Sequence, residues 1–148
     1  MTLYECGIRY KKVADNGFTK KVTELYLVDA LSFAEAEGRI TNEMEPYISG
    51  DFDVVTIKRT NISEIVEGLS TADKWFKAKL MYITIDEKTG KEKKQAIHFI
   101  VRASDINNAH ICVVEHMKGS VMDYEIATLD ETKIMDLFRY KVNTSDNG

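Results

Sequence analysis

The chain has 148 residues, 44% hydrophobic and 30% charged, with a formal net charge of −4. That length suits one ordinary domain or two very small ones, and the composition is typical of a soluble globular protein. The negative charge disfavours a protein that grips duplex DNA with its whole surface, and no stretch approaches the roughly 18 apolar residues of a membrane span.

The first half opens with alternation. Tyr4, Cys6, Ile8 and Tyr10 face one way while Glu5, Gly7 and Arg9 face the other, as in a half-buried strand. Asn16-Gly17 is a hairpin turn signal, and the return strand runs from about Lys20 to Val28. Ser32-Phe33-Ala34-Glu35 reads as a capping box: the serine oxygen accepts one orphan N–H and the glutamate reaches back to another. The helix that follows carries Phe33, Ala36, Ile40, Met44 and Tyr47 on one face, and it ends or kinks near Pro46. Phe52 to Ile57 is a Val- and Ile-containing strand, and Asn61 is expected to cap a short helix with Ile62, Ile65 and Val66.

The second half repeats these steps at an offset of about seventy residues, which is the signature of an internal repeat. Trp75 to Ile85 is a strand, Gly90 closes a longer hairpin turn, and Gln95 to Val101 returns. Ser104 or Asp105 starts a helix with Ile106, Ala109, Val113 and Met117 on its inner face, and Gly119 stops it. Met122 to Leu129 is a strand, and Asp130 is expected to cap a helix with Ile134, Leu137 and Phe138. Tyr4, Tyr10, Tyr26, Ala30, Ala36, Met44 and Ile62 meet Phe76, Tyr82, Phe99, Ala103, Ala109, Met117 and Ile134.

The expected fold is therefore α+β: a tandem duplication of a β-β-α-β unit with a short terminal helix, pseudo-two-fold symmetric and mainly antiparallel. The copies span residues 1–68 and 75–140, with a polar linker at 69–74 and a solvated tail at 141–148. Neither copy buries its sheet face alone, so the two are expected to pack as one compact domain.

From the opening Leu3-Tyr4-Glu5-Cys6 strand, through the capped helix, to Phe138-Arg139-Tyr140, the chain resembles an uncharacterised family of small proteins labelled as a domain of unknown function. That family occurs in Bacteroidales-type bacteria and their phages. The resemblance implies a prokaryotic or phage setting and supplies no catalytic motif to transfer.

Paired lysines are the first candidates for chemistry. Lys20-Lys21 and Lys93-Lys94 recur just after the two hairpin turns. They suit phosphate groups of a nucleotide or nucleic-acid strand, although sheet edges also carry lysine simply to prevent edge pairing. Trp75 begins a strand beside the polar linker and is a candidate stacking face, whereas the alternating aromatics read as core. Asp51 and Asp53 could share a face, with Asp123 at the place equivalent to Asp53 in the repeat, but strand-entry carboxylates are commonly turn residues. Cys6 and Cys112 have no metal-type spacing, and His110 and His116 point to different sides of a helix. No catalytic residue, metal site or cofactor is assigned.

These readings point to a non-enzymatic, cytoplasmic binding protein of phage or mobile-element type. Lys20, Lys21, Lys93, Lys94 and Trp75 would hold a nucleotide-like or other phosphate-bearing ligand, at a groove between copies or a homodimer seam. Sequestering a host defence signal, or holding a nucleic-acid strand, are uses that the implied setting suggests. The alternatives are an interaction or inhibitor module that presents its acidic first helix (Glu35, Glu37, Glu43, Glu45) to a host or phage protein, and a small phosphodiester hydrolase.

Overall fold

A computed structural model of the protein describes residues 1–68 and 71–139. The expected tail at 141–148, and Leu69 and Ser70 of the expected linker, lie outside the described residues. The described residues divide into two compact units, one of Met1–Thr60 with residues 136–139, the other within Asn61–Met135.

The first unit contains β1 (Leu3–Val13), β2 (Thr19–Asp29), α1 (Phe33–Met44) and β3 (Phe52–Arg59). The second contains β4 (Ile62–Glu67), β5 (Lys74–Ile85), β6 (Glu92–Ala103), α2 (Ile106–Met117) and β7 (Asp123–Glu131), and β8 (Ile134–Phe138) ends the series. The fold is α+β; the described residues form two helices and two mainly antiparallel four-stranded sheets, ordered β3-β1-β2-β8 and β4-β6-β5-β7. β4 runs parallel to β6. Each sheet thus takes its fourth strand from the other half of the sequence.

β4 and β8 correct the expectation of short helices at Asn61 and Asp130. Ile62 and Val66, like Ile134 and Phe138, are four residues apart, a spacing that fits a helix face and also one face of a strand. A five- or six-residue helix would face a costly nucleus and crowd its β-branched side chains. As strands, the same residues use a neighbouring sheet edge for their backbone bonds. Asp130 lies inside β7, and the turn into β8 is held by Thr132, whose N–H and Oγ1 both donate to Trp75 O at 2.9 and 2.8 Å. Thr60 makes the same two bonds to Leu3 O before β4.

Residues matched in the expected repeat line the two cores in the same order. In the first unit Tyr4, Cys6, Ile8, Tyr26, Val28 and Ala30 pack under Ala36, Ile40 and Met44 of α1. Their counterparts in the second are Phe76, Ala78, Leu80, Phe99, Val101 and Ala103 under Ala109, Val113 and Met117 of α2. Ile40 and Val113 are both fully buried. A β-bulge recurs at one place: Val55 is the extra residue between Gly7 and Ile8, and Ala127 that between Lys79 and Leu80. Beside the first bulge, a Cβ on Gly7 would fall against Thr56 Oγ1, well inside van der Waals contact.

Ser32 caps α1 by accepting from Glu35 N at 3.1 Å, and Glu35 Oε1, the atom of a capping box that could reach back, is buried without a hydrogen-bond partner among the described residues. Asp105 rather than Ser104 caps α2, accepting from Asn108 N at 2.7 Å. At the helix starts, Phe33 and Ile106 are half exposed, and Tyr47 is exposed beyond α1, so the buried stripes are shorter than expected. Among the described residues no helix is long and apolar enough to cross a membrane.

Candidate functional site

β1 and β2 extend as a hairpin beyond the residues that α1 covers. Its tip holds a type I-like turn, with Gly17 N donating to Ala14 O at 2.9 Å and Gly17 at φ 83°, where a side chain would be strained. That turn sets the register, and the register pairs Lys11 with Lys21 and Lys12 with Lys20. Directly opposed like charges on adjacent strands destabilise a sheet, and here two such rungs follow one another.

Alternation puts Lys11 and Lys21 on one face, together with Arg9 two residues earlier. On its other side Arg9 is paired with Asp53 of β3. Gly50, at φ 90°, turns the chain after α1 so that Asp51 enters this neighbourhood. Arg9, Tyr10, Lys11, Lys21, Asp51 and Asp53, with Ser49 and Gly50, line a cavity of about 370 Å³. Among the described residues none of the three cations has a carboxylate within ion-pair distance. A second cavity of about 560 Å³ shares Gly50, Asp51 and Asp53 and continues past Glu37 of α1 and Glu45, its C-cap.

Tyr10 is anchored at the cavity wall. Its hydroxyl donates to Glu24 Oε1 at 2.6 Å, and Tyr26 donates to the same oxygen at 3.3 Å. Burial first, then the Glu24 carboxylate, pushes the Tyr10 phenol up to about 12 and raises Tyr26 as well. Lys12, on the same face, lies 3.9 Å from Glu24 Oε2.

The second half lacks this arrangement. Lys94 pairs with Ile83 and Lys93 with Thr84, so there is no lysine-on-lysine rung. Met81 and Ile83 stand where Arg9 and Lys11 stand in the first half, and Lys94 Nζ is 3.4 Å from Glu125 Oε2. Of the lysines singled out from sequence, Lys21 lines the cavity. Lys20 projects from the other face of β2, Lys93 is exposed, and Lys94 is ion-paired. Trp75 is 3% exposed, with the Arg102 guanidinium 5.7 Å from its ring centre. It is placed as a core residue rather than an open stacking face. The strand registers also correct the pairing of Asp53 with Asp123. Asp53 is opposite Arg9, and Glu125 is opposite the equivalent Met81, so Glu125 occupies the place of Asp53 and Asp123 that of Asp51.

Sequence reasoning singled out Lys21 without its cross-strand partner Lys11, and missed Arg9. Counting back across the Asn16-Gly17 turn carries the Lys11–Lys21 pairing, and alternation then adds Arg9. Elsewhere, Cys6 is buried and its thiol is pushed up to about 11, chiefly by burial and further by Glu5. His116 Nε2 lies 3.5 Å from Glu64 Oε1. Among the described residues no three His, Cys, Asp or Glu side chains converge as a metal site.

Fold and site together describe a small α+β protein with a three-cation cavity on one hairpin face. The chain belongs to the family described as Domain of unknown function (DUF4494), which matches residues 2–140. No curated protein and no solved structure matches the chain.

Proposed function

We propose that the protein is a non-enzymatic binding protein that holds a phosphate-bearing ligand in the cavity of Arg9, Lys11 and Lys21. The observation that carries this reading is the directly opposed Lys11–Lys21 rung, with Arg9 beside it and no carboxylate paired to any of the three among the described residues. Such a rung is unfavourable in the free protein, and a bound phosphate relieves it through charge-assisted hydrogen bonds. Arg9 adds a planar fork suited to phosphate oxygens. In the phage or mobile-element setting that the sequence resemblance implies, the site would sequester a nucleotide-type signal or serve nucleic-acid metabolism.

Calorimetric titration with inorganic phosphate and a nucleotide panel tests this reading. The wild-type protein is expected to bind, Lys11→Glu/Lys21→Glu to lose affinity while remaining folded, and Lys93→Glu/Lys94→Glu to retain it. Equal affinities for wild type and the first double variant would leave these lysines as hairpin-edge charges. A second reading, a basic protein partner held on the acidic first helix, is favoured by one observation: Glu37, Glu45, Asp51 and Asp53 line a common cavity.

A further inference from the structure

We infer that this cavity takes a compact monophosphate whose other end carries hydrogen-bond donors, a nucleoside monophosphate, and not a nucleic-acid strand. The inference rests on the anion-binding reading above and deepens it.

Charge changes sign across the cavity. Lys21 stands on β2 and Arg9 and Lys11 on β1, whereas Asp53 stands on the next strand, β3, with Asp51 just before it, and the adjoining cavity adds Glu37 and Glu45. A single phosphate on the cations leaves the carboxylates free. A polyanionic strand that continued past the cations would set its next phosphates against four carboxylates, a repulsion that grows with each one. Ionised carboxylates only accept hydrogen bonds, so they complement the vicinal hydroxyls of a ribose or the adjacent N–H groups on a guanine edge. The volume of about 370 Å³ falls at the lower end of small-molecule sites.

The second half supplies a comparison. There Glu125, in the place of Asp53, reaches Lys94, in the place of Lys21, at 3.4 Å. Asp53 is one methylene shorter, and neither it nor Lys21 has an ion-pair partner among the described residues. The shorter acid therefore leaves Lys21 on β2 and Asp53 on β3, on either side of β1, without ion-pair partners among the described residues, which suits a ligand with an anionic end and a donor end.

The test is calorimetric titration of the full chain with three probes: inorganic phosphate, guanosine 5′-monophosphate and a short thymidine oligonucleotide. The monophosphate is expected to bind about tenfold tighter than phosphate, the size of one charge-assisted hydrogen bond at an exposed site, and tighter than the oligonucleotide per site. Asp53→Asn should abolish the advantage over phosphate, while phosphate itself binds somewhat tighter because a like charge beside it is removed. Asp53→Glu keeps the charge but lets the acid reach Lys21, and it should weaken both phosphate and the monophosphate. Phosphate binding that depends on Lys21, without a gain for the monophosphate or with tighter oligonucleotide binding, overturns this inference and leaves the anion site standing. Absence of binding by all three probes overturns both.

Discussion

Phe138, near the end of the chain, is expected to stabilise the sheet built by its beginning. It belongs to β8, the neighbour of β2, and its ring stacks on Tyr26 with centroids 5.9 Å apart and an interplanar angle of 22°. Truncating a fully buried phenylalanine to alanine costs about 3–5 kcal/mol. Phe138 is half-buried, so about half of that applies, and loss of the ring pair brings Phe138→Ala to about 2–3 kcal/mol. Amides that exchange through opening of the β2–β8 edge should then exchange roughly 30-fold faster or more. Hydrogen exchange read by NMR on Leu25 to Val28 measures this directly. The reciprocal variant is Val66→Ala, in β4 beside β6. It removes two buried methyl groups at about 2 kcal/mol and should loosen Phe99 to Val101 instead. Phe138→Ala acting on Phe99 to Val101, or both variants loosening both sheets equally, would refute the exchanged strand assignment.

Ile40 is fully buried beneath the first sheet, so Ile40→Asp strands a carboxylate in the core and should destabilise by at least about 4 kcal/mol, read as loss of a cooperative thermal transition by circular dichroism. Gly7→Ala should cost about 1–3 kcal/mol through overpacking against Thr56, and Gly7→Ala/Thr56→Ala should recover much of it in urea denaturation; additive losses would mean that contact is not the cause. Because the Tyr10 phenol is raised from about 10 to about 12 in the fold, the folded chain holds more protons than the unfolded one in that window. Its contribution to stability is present below about pH 10 and lost as pH rises toward 12, and Glu24→Gln should flatten that loss in denaturation curves collected across the range. His98 has the opposite sense: burial first, then Lys77 and Lys79, lowers its value, and Nδ1 is buried without a partner. Stability should therefore fall as pH drops below about 6.5, and His98→Leu should remove that dependence.

Much of the fold is legible in the sequence because it rests on local physics. Alternation from Tyr4 to Tyr10, the Asn16-Gly17 turn, the Ser32 cap and the Ala36-Ile40-Met44 stripe each depend on a few neighbouring residues, and each is found where those residues predict it. The same holds for Ala109-Val113-Met117, and so the α+β class and the recurring order of elements can be read directly. What tertiary structure decided was every question of partner. Ile62 and Val66 satisfy helical and extended periods alike, and only an open edge on β6 settles which one forms. Asp53 matches Glu125 rather than Asp123, because correspondence is set by hydrogen-bond register on β1 and β5, while similar residues nearby offer a competing match. Trp75 beside a polar linker looks exposed in one dimension and is buried in three. Lys11, Lys21 and Arg9 become a site only when antiparallel pairing sets them on one face, and strand pairing is a long-range contact that no single stretch of sequence encodes.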